Sequence, residues 1–203
     1  MIKLHHLRIG RSIFTVWLLE ELNADYEMDV YIRNDMGRAP PELKNAHPLG
    51  KSPVIEHDGL VLSESGAINS YLLALYDKDN RLSPPQSQLK EWATYTQWLA
   101  YPEGSVFAPL LLKMLLLRSG VDHPVIAPFS DSEITLHLNH IADQLGDNDY
   151  ILGEFSGADF GIAYVVSMAE RLGQLGDYPS LQAYWDRMQQ RDAWKTAIEK
   201  GVE

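Results

Sequence analysis

The sequence predicts an α/β domain followed by an all-α domain, and three observations carry that prediction. Before Ser65, apolar residues that alternate with a period of two are interleaved with apolar residues at helical spacing. The stretch Asp77 to Gln88 collects Asn80, Ser83, Pro84, Pro85 and Ser87, which interrupt regular structure. Beyond it the strand signals vanish and helical spacing alone remains.

Ile2 to Leu7 reads as a short strand, and from Arg11 to Leu22 the residues Ile13, Val16 and Trp17 recur at i, i+3, i+4, as a helix requires. Tyr26, Met28, Val30 and Ile32 alternate, which adds a second strand, and Pro40-Pro41-Glu42-Leu43 carries the proline signature of a helix's first turn. Val54-Ile55-Glu56 and Leu60-Val61-Leu62 flank Asp58-Gly59, a dipeptide that tolerates the positive φ of a tight hairpin. A helix from about Ser65 to Tyr76 follows. The order β-α-β-α-β-β-α needs a mixed sheet with an antiparallel edge and helices on its faces. The expected domains are residues 1–78, a linker at 79–88 and a helical domain at 89–203, where Trp92, Tyr95, Trp98 and Leu99, then Ile134, Leu138, Ile141 and Leu145, then Ala163, Val166 and Ala169 mark helix faces.

Composition narrows the function. The 203 residues are 45% apolar, enough for a sizeable core, and 28 acidic against 17 basic residues give a net charge of -11. That charge opposes long-range attraction to nucleic acid or an anionic membrane. The chain has no cysteine, so disulfides, a Cys nucleophile and thiolate metal sites are excluded, and any thiol chemistry must use a thiol brought from elsewhere. The opening Met1-Ile2-Lys3-Leu4-His5-His6 is too polar for a signal peptide, and the run Leu110 to Leu117 is short and broken by Lys113, so the expected location is cytoplasmic.

Ser63, Glu64 and Ser65 fall at a helix start, where free backbone N–H groups and the positive end of the helix dipole favour an anion such as a substrate carboxylate. The Glu64 carboxylate can meanwhile accept from an ammonium, so this helix end suits an amino-acid head group. Ordinary capping by Ser and Glu explains the same residues. Lys51-Ser52-Pro53-Val54 places a proline at the mouth of a strand beside that helix end; a cis bond there would present the backbone of Val54 as an edge for an extended peptide, and an edge strand opened by proline is the plainer alternative.

"HPLGKSPVI" followed by "LSESGAI", after a β-α unit containing "WLLEEL", resembles the N-terminal domain of the cytosolic glutathione transferases. "RAPPELK" resembles a fungal and bacterial subgroup, and "SGADFGIA" at Ser156 to Ala163 resembles the capping box of the family's helical domain. The resemblance covers essentially the whole chain. It implies a thioredoxin-like domain, an all-helical domain, a homodimer, and glutathione as cosubstrate with no further cofactor. Carried over, Glu64 and Ser65 would bind the γ-glutamyl group, Val54 after a cis Pro53 would pair with the cysteinyl backbone, Lys51 would reach the glycyl carboxylate, and Ser52 is counted with them among the glutathione-binding residues.

A thiol with a pKa of about 8.5 is only a few per cent ionised at neutral pH, so a group near the sulfur must stabilise the thiolate. Family members usually place a Ser, Tyr or Cys at the start of the first helix. Where many read Ser-Arg-Ser, this chain reads Gly10-Arg11-Ser12, which leaves Ser12 as the first expected donor and Arg11 as the second, with the helix-start N–H groups behind them. His5 and His6 are expected to be structural. Tyr95, Trp98, Tyr101 and Phe107, on a segment interrupted by Pro102 and Pro109, are expected to line an apolar pocket for a small hydrophobic electrophile. His123, His137 and His140 lack an accompanying carboxylate pattern, so no metal site is expected. The function expected is transfer of glutathione to electrophiles, with glutathione peroxidase activity as a second outcome. The alternative, favoured by Gly10, is a non-catalytic binding module of the same fold acting through protein partners.

Overall fold

The computed structural model describes residues 1–202. The chain runs β1 (Ile2–Leu7), α1 (Ser12–Glu21), β2 (Tyr26–Tyr31), a 3-10 turn (Pro41–Asn45), β3 (Val54–His57), β4 (Leu60–Ser63), α2 (Ser65–Tyr76), α3 (Leu89–Tyr101), a π turn (Pro102–Val106), α4 (Phe107–Ser119), α5 (Ile126–Leu145), α6 (Gly157–Arg171), α7 (Pro179–Gln190) and α8 (Asp192–Gly201). The four strands form one sheet in the order β2-β1-β3-β4. β1 and β2 are parallel, and the pairs β1–β3 and β3–β4 are antiparallel. This is a thioredoxin-like sheet with a mostly helical remainder.

Local chemistry sets the elements. Asp58 at φ 48° and Gly59 at φ 82° both lie in the left-handed region, the geometry of a type I′ hairpin, and the turn brings Val54 opposite Ser63. Residues alternate along β1: His6 faces α8, its Nε2 donating to Gly201 O at 3.1 Å, whereas His5 turns the other way. There its ring bridges Glu56 Oε1 at 2.6 Å and the Tyr31 hydroxyl at 3.0 Å. Both histidines are buried and bonded within the framework.

Two compact units result. One comprises Met1–Arg81 together with the segment from Gln189, and the other Leu82–Met188. The last helix therefore joins the α/β unit, whereas the sequence places residues 89–203 together in the helical domain. Trp194 of α8 packs its ring 5.3 Å from both Phe14 and Trp17 of α1, and Arg191 grips Glu21 through Nε at 2.5 Å and Nη2 at 2.9 Å.

In the helical unit nearly all of α6 is buried. Its start is held by Ser156, whose Oγ accepts from Ala158 N at 3.3 Å, and by Asp159, whose Oδ2 accepts from Ser156 N at 2.8 Å, the reciprocal pattern expected of a capping box. Leu89–Ser119 has by length and composition the makings of a membrane-crossing helix, yet the π turn interrupts it and Lys113 within it pairs with Asp131 of α5 at 2.7 Å. Gly161 of α6 lets the π turn approach: a Cβ there would stand 2.9 Å from Pro102 Cγ.

Candidate functional site

Three elements of the α/β unit converge at one end of the sheet. β3 opens on the cis Ser52–Pro53 bond. Because Val54 pairs with Ser63, the antiparallel register carries Glu64 and Ser65 to the side of that turn. Val54 also pairs with His5, and Ser52 Oγ donates to His5 O at 2.7 Å while accepting from Leu7 N at 3.1 Å, so the end of β1 reaches the same place.

Glu64 immediately precedes α2 with φ 74° and ψ 117°. A non-glycine residue in this region costs on the order of 1–3 kcal/mol, and such outliers cluster at ligand clamps. The conformation sets an exposed carboxylate at the mouth of α2 while Ser65 opens the helix. An anion there meets first-turn N–H groups and the positive helix end, and an ammonium meets Glu64. Lys51, next to the cis turn, is exposed. Gly50 before it is at φ 56°, and the Lys44 side chain lies over it, 2.9 Å from where a Cβ would stand.

Two expectations on this side are corrected. Ser52 has its hydroxyl committed to the backbone of β1, so it builds the turn and is not placed to contact a ligand with that group. Val54 is not on a free flank: β3 is an inner strand, paired with β1 on one side and β4 on the other, and Val54 is fully buried. The amino-terminal end of β3, at the cis turn, is where the pairing with β1 and β4 begins.

The start of α1 lies at the same end of the sheet. Ser12 is fully buried, and its hydroxyl donates to Leu7 O at 3.2 Å while accepting from Leu7 N at 3.0 Å. A serine has one hydroxyl proton, and here it is spent on the backbone. In this bonding Ser12 ties α1 to the end of β1. Arg11 is the residue before α1 and is half-buried. Ile9, a β-branched residue at φ 55°, makes the bend between strand and helix and is exposed.

Arg33 is the residue that sequence reasoning missed. From the loop after β2, its Nε donates to Arg8 O at 3.1 Å and Ile9 O at 3.3 Å, its Nη2 to Ile9 O at 3.0 Å and its Nη1 to Gly37 O at 3.0 Å. A Cβ on Gly10 would stand 3.1 Å from Arg33 Nη2 and 3.1 Å from Leu7 O. The sequence signal was slight: an arginine just after a strand and just before the turn Asn34-Asp35-Met36-Gly37.

The aromatic residues expected to line an electrophile pocket divide. Tyr95 and Trp98 are buried, with Trp98 stacked on His140 at 5.2 Å, so they serve as core. Tyr101 and Phe107 are half-buried and lie on either side of the π turn. The Tyr101 hydroxyl meets His137 Nδ1 at 2.6 Å; burial pushes the phenol up and the imidazole down, so the phenol donates to a neutral ring. Phe107 rests against Tyr164 at 5.9 Å. His123 Nδ1 accepts from Val125 N and Ile126 N at the start of α5.

A family model described as glutathione S-transferase, N-terminal domain, matches residues 1–74. Glutathione S-transferase 3 of Schizosaccharomyces pombe is 33% identical over 98% of this chain and 88% of its own length. Glutathione S-transferase 1 of Saccharomyces cerevisiae is 29% identical, covering 98% and 95%. Among solved structures, a glutathione S-transferase from Actinobacillus pleuropneumoniae superposes with a TM-score of 0.91 at 34% identity, over 100% of this chain and 93% of that one. A glutathione transferase homolog from Lodderomyces elongisporus, solved with two GSH per subunit, shares the fold with a TM-score of 0.83 at 22% identity, over 98% of each chain.

Proposed function

Since the chain belongs to the glutathione S-transferase family, we propose that it is a working transferase, a cytoplasmic homodimer that conjugates glutathione to small hydrophobic electrophiles in detoxification. The observation that carries this reading is the convergence of the cis Ser52–Pro53 turn with Glu64 and Ser65 at the start of α2. Glutathione is an extended, anionic tripeptide with an amino-acid head. Its γ-glutamyl carboxylate goes to the Ser65 hydroxyl and the first turn of α2, its ammonium to Glu64, its cysteinyl backbone to Val54 behind the cis turn, and its glycyl carboxylate to Lys51. Placed so, its sulfur is directed toward the start of α1.

There Arg11 and the positive end of α1 favour thiolate over thiol, each unit of lowering being worth about 1.4 kcal/mol. The thiolate then attacks the electrophilic carbon, forming C–S as the leaving group departs with its electron pair. Within the helical unit, Tyr101 and Phe107 remain the proposed contacts of a hydrophobic electrophile. The commitment of Ser12 to Leu7 favours a second reading, in which glutathione is held without being activated and the chain acts through protein partners.

Calorimetric titration with glutathione beside a conjugation assay with a chloronitrobenzene separates them. The transferase reading expects a dissociation constant between micromolar and millimolar, as for a small flexible ligand, with release of chloride on turnover. Ser65→Ala should weaken binding by about 1–3 kcal/mol, the scale of a hydrogen bond to a charged group. Binding without turnover favours the non-catalytic reading, and no heat at ~10 mM glutathione overturns the transferase reading and favours the binding module that acts through protein partners.

A further inference from the structure

Arg33 lies outside the groups assigned to glutathione, yet its contacts converge on the segment that leads into α1. It joins the two loops that leave the parallel strands β1 and β2: the carbonyls of Arg8 and Ile9 on one side, the carbonyl of Gly37 on the other. The Gly37 side is itself fixed, because Asn34 Oδ1 accepts from Met36 N at 3.1 Å and Arg38 N at 2.9 Å, and Gly37 N donates to Asn34 O at 2.8 Å. The Ile9 side is strained. A β-branched residue at φ 55° reverts to an ordinary conformation unless its surroundings over-determine it, and the guanidinium bonded twice to its carbonyl does so. Only Arg has a planar fork that reaches three carbonyls at once. The glycine at position 10 fits the same arrangement, since a side chain there would press on the guanidinium.

We propose that Arg33 is a positioning residue of the thiolate site: its guanidinium holds the Arg8–Ile9–Gly10 bend to the Gly37 turn and thereby fixes the direction of Arg11 and of the amino-terminal end of α1 toward the sulfur. The role of the sulfur rests on the glutathione reading above; the clamp itself does not. Arg33 is assigned no contact with substrate. It acts through the backbone, and its positive charge next to Gly10 adds to the field at the helix start.

The test uses the full chain and two readouts on Arg33→Ala and Arg33→Lys. Amide hydrogen exchange of ligand-free protein over residues 8–14 and 33–38 should speed about tenfold or more in both variants, since lysine cannot make the fork. The pH midpoint of the conjugation rate should rise by about half a unit to one unit in both, with kcat falling more than KM for glutathione rises. Loss of a merely structural contact would lower the melting temperature and leave that midpoint in place. Should Arg33→Ala not fold, Gly10→Ala is read in its stead, because its methyl group pushes on the guanidinium from the opposite side, and it should move both readouts in the same direction. Unchanged exchange overturns the clamp, and an unchanged midpoint with faster exchange overturns its role at the sulfur. Full recovery by Arg33→Lys shows that charge alone matters and overturns positioning. Faster exchange in a protein whose parent neither binds nor conjugates glutathione overturns the glutathione reading and leaves the clamp standing.

Discussion

Single residues in this chain are often decided by where a proton or a lone pair is already spent. Ser12 and Ser52 both have their hydroxyls committed to the backbone of β1. Asp159 is a buried carboxylate used in the same way: Oδ1 accepts from Ile151 N at 3.1 Å and the Tyr184 hydroxyl at 3.0 Å, and Oδ2 from Ser156 N. Burial nevertheless prevails over those bonds and pushes its carboxyl from 3.8 up to about 6. The folded state then holds a proton that the unfolded state has shed between these values. The stability this group contributes is therefore greatest at the acid end, declines as pH rises through the window, and levels off above the folded value. In urea unfolding, the advantage of the parent over Asp159→Asn should shrink by about 1–3 kcal/mol between about pH 4 and about pH 7. Parallel profiles for the two proteins would show that the carboxyl does not titrate in that range.

Elements pair according to apolar surface more than according to order in the chain. α8 ends the sequence but docks on α1, where Trp194 closes an aromatic cluster with Phe14 and Trp17 and the Arg191–Glu21 pair seals its edge. Trp17 is held in turn by its Nε1 donating to Glu21 Oε1 at 2.9 Å. Removing the indole leaves a cavity that flanking rings cannot fill. Trp194→Ala should cost about 3–5 kcal/mol in chemical unfolding, seen as an early loss of the α/β unit's signal. A loss below about 1 kcal/mol would mean that α8 is dispensable to α1.

For the whole molecule the question is self-association. The net charge of -11 makes copies repel one another at long range and opposes attraction to other polyanions. β4 is nevertheless an outer strand of the sheet, and Leu60 and Val61 on it are exposed, which is apolar edge surface that a folded protein ordinarily covers or blunts. The proposed homodimer should give a light-scattering mass of twice 23.0 kDa at micromolar concentration. A mass of 23.0 kDa would remove the dimer from the proposal.

What the sequence by itself determined is what a few neighbouring residues encode: the Asp58-Gly59 hairpin, the start of α2 at Ser65 and the Ser156–Asp159 capping box. These are local agreements between backbone conformation and side-chain chemistry, legible in windows of four to six residues. What only the tertiary structure decided joins residues far apart. β3 lies inside the sheet because β1 and β4 both pair with it, so Val54 has no free flank. The hydroxyl of Ser12 is consumed by Leu7 because helix and strand meet at that angle. Arg33 reaches back to Arg8 and Ile9, and His6 reaches Gly201, because parallel pairing and burial bring together groups that no pattern along the chain relates.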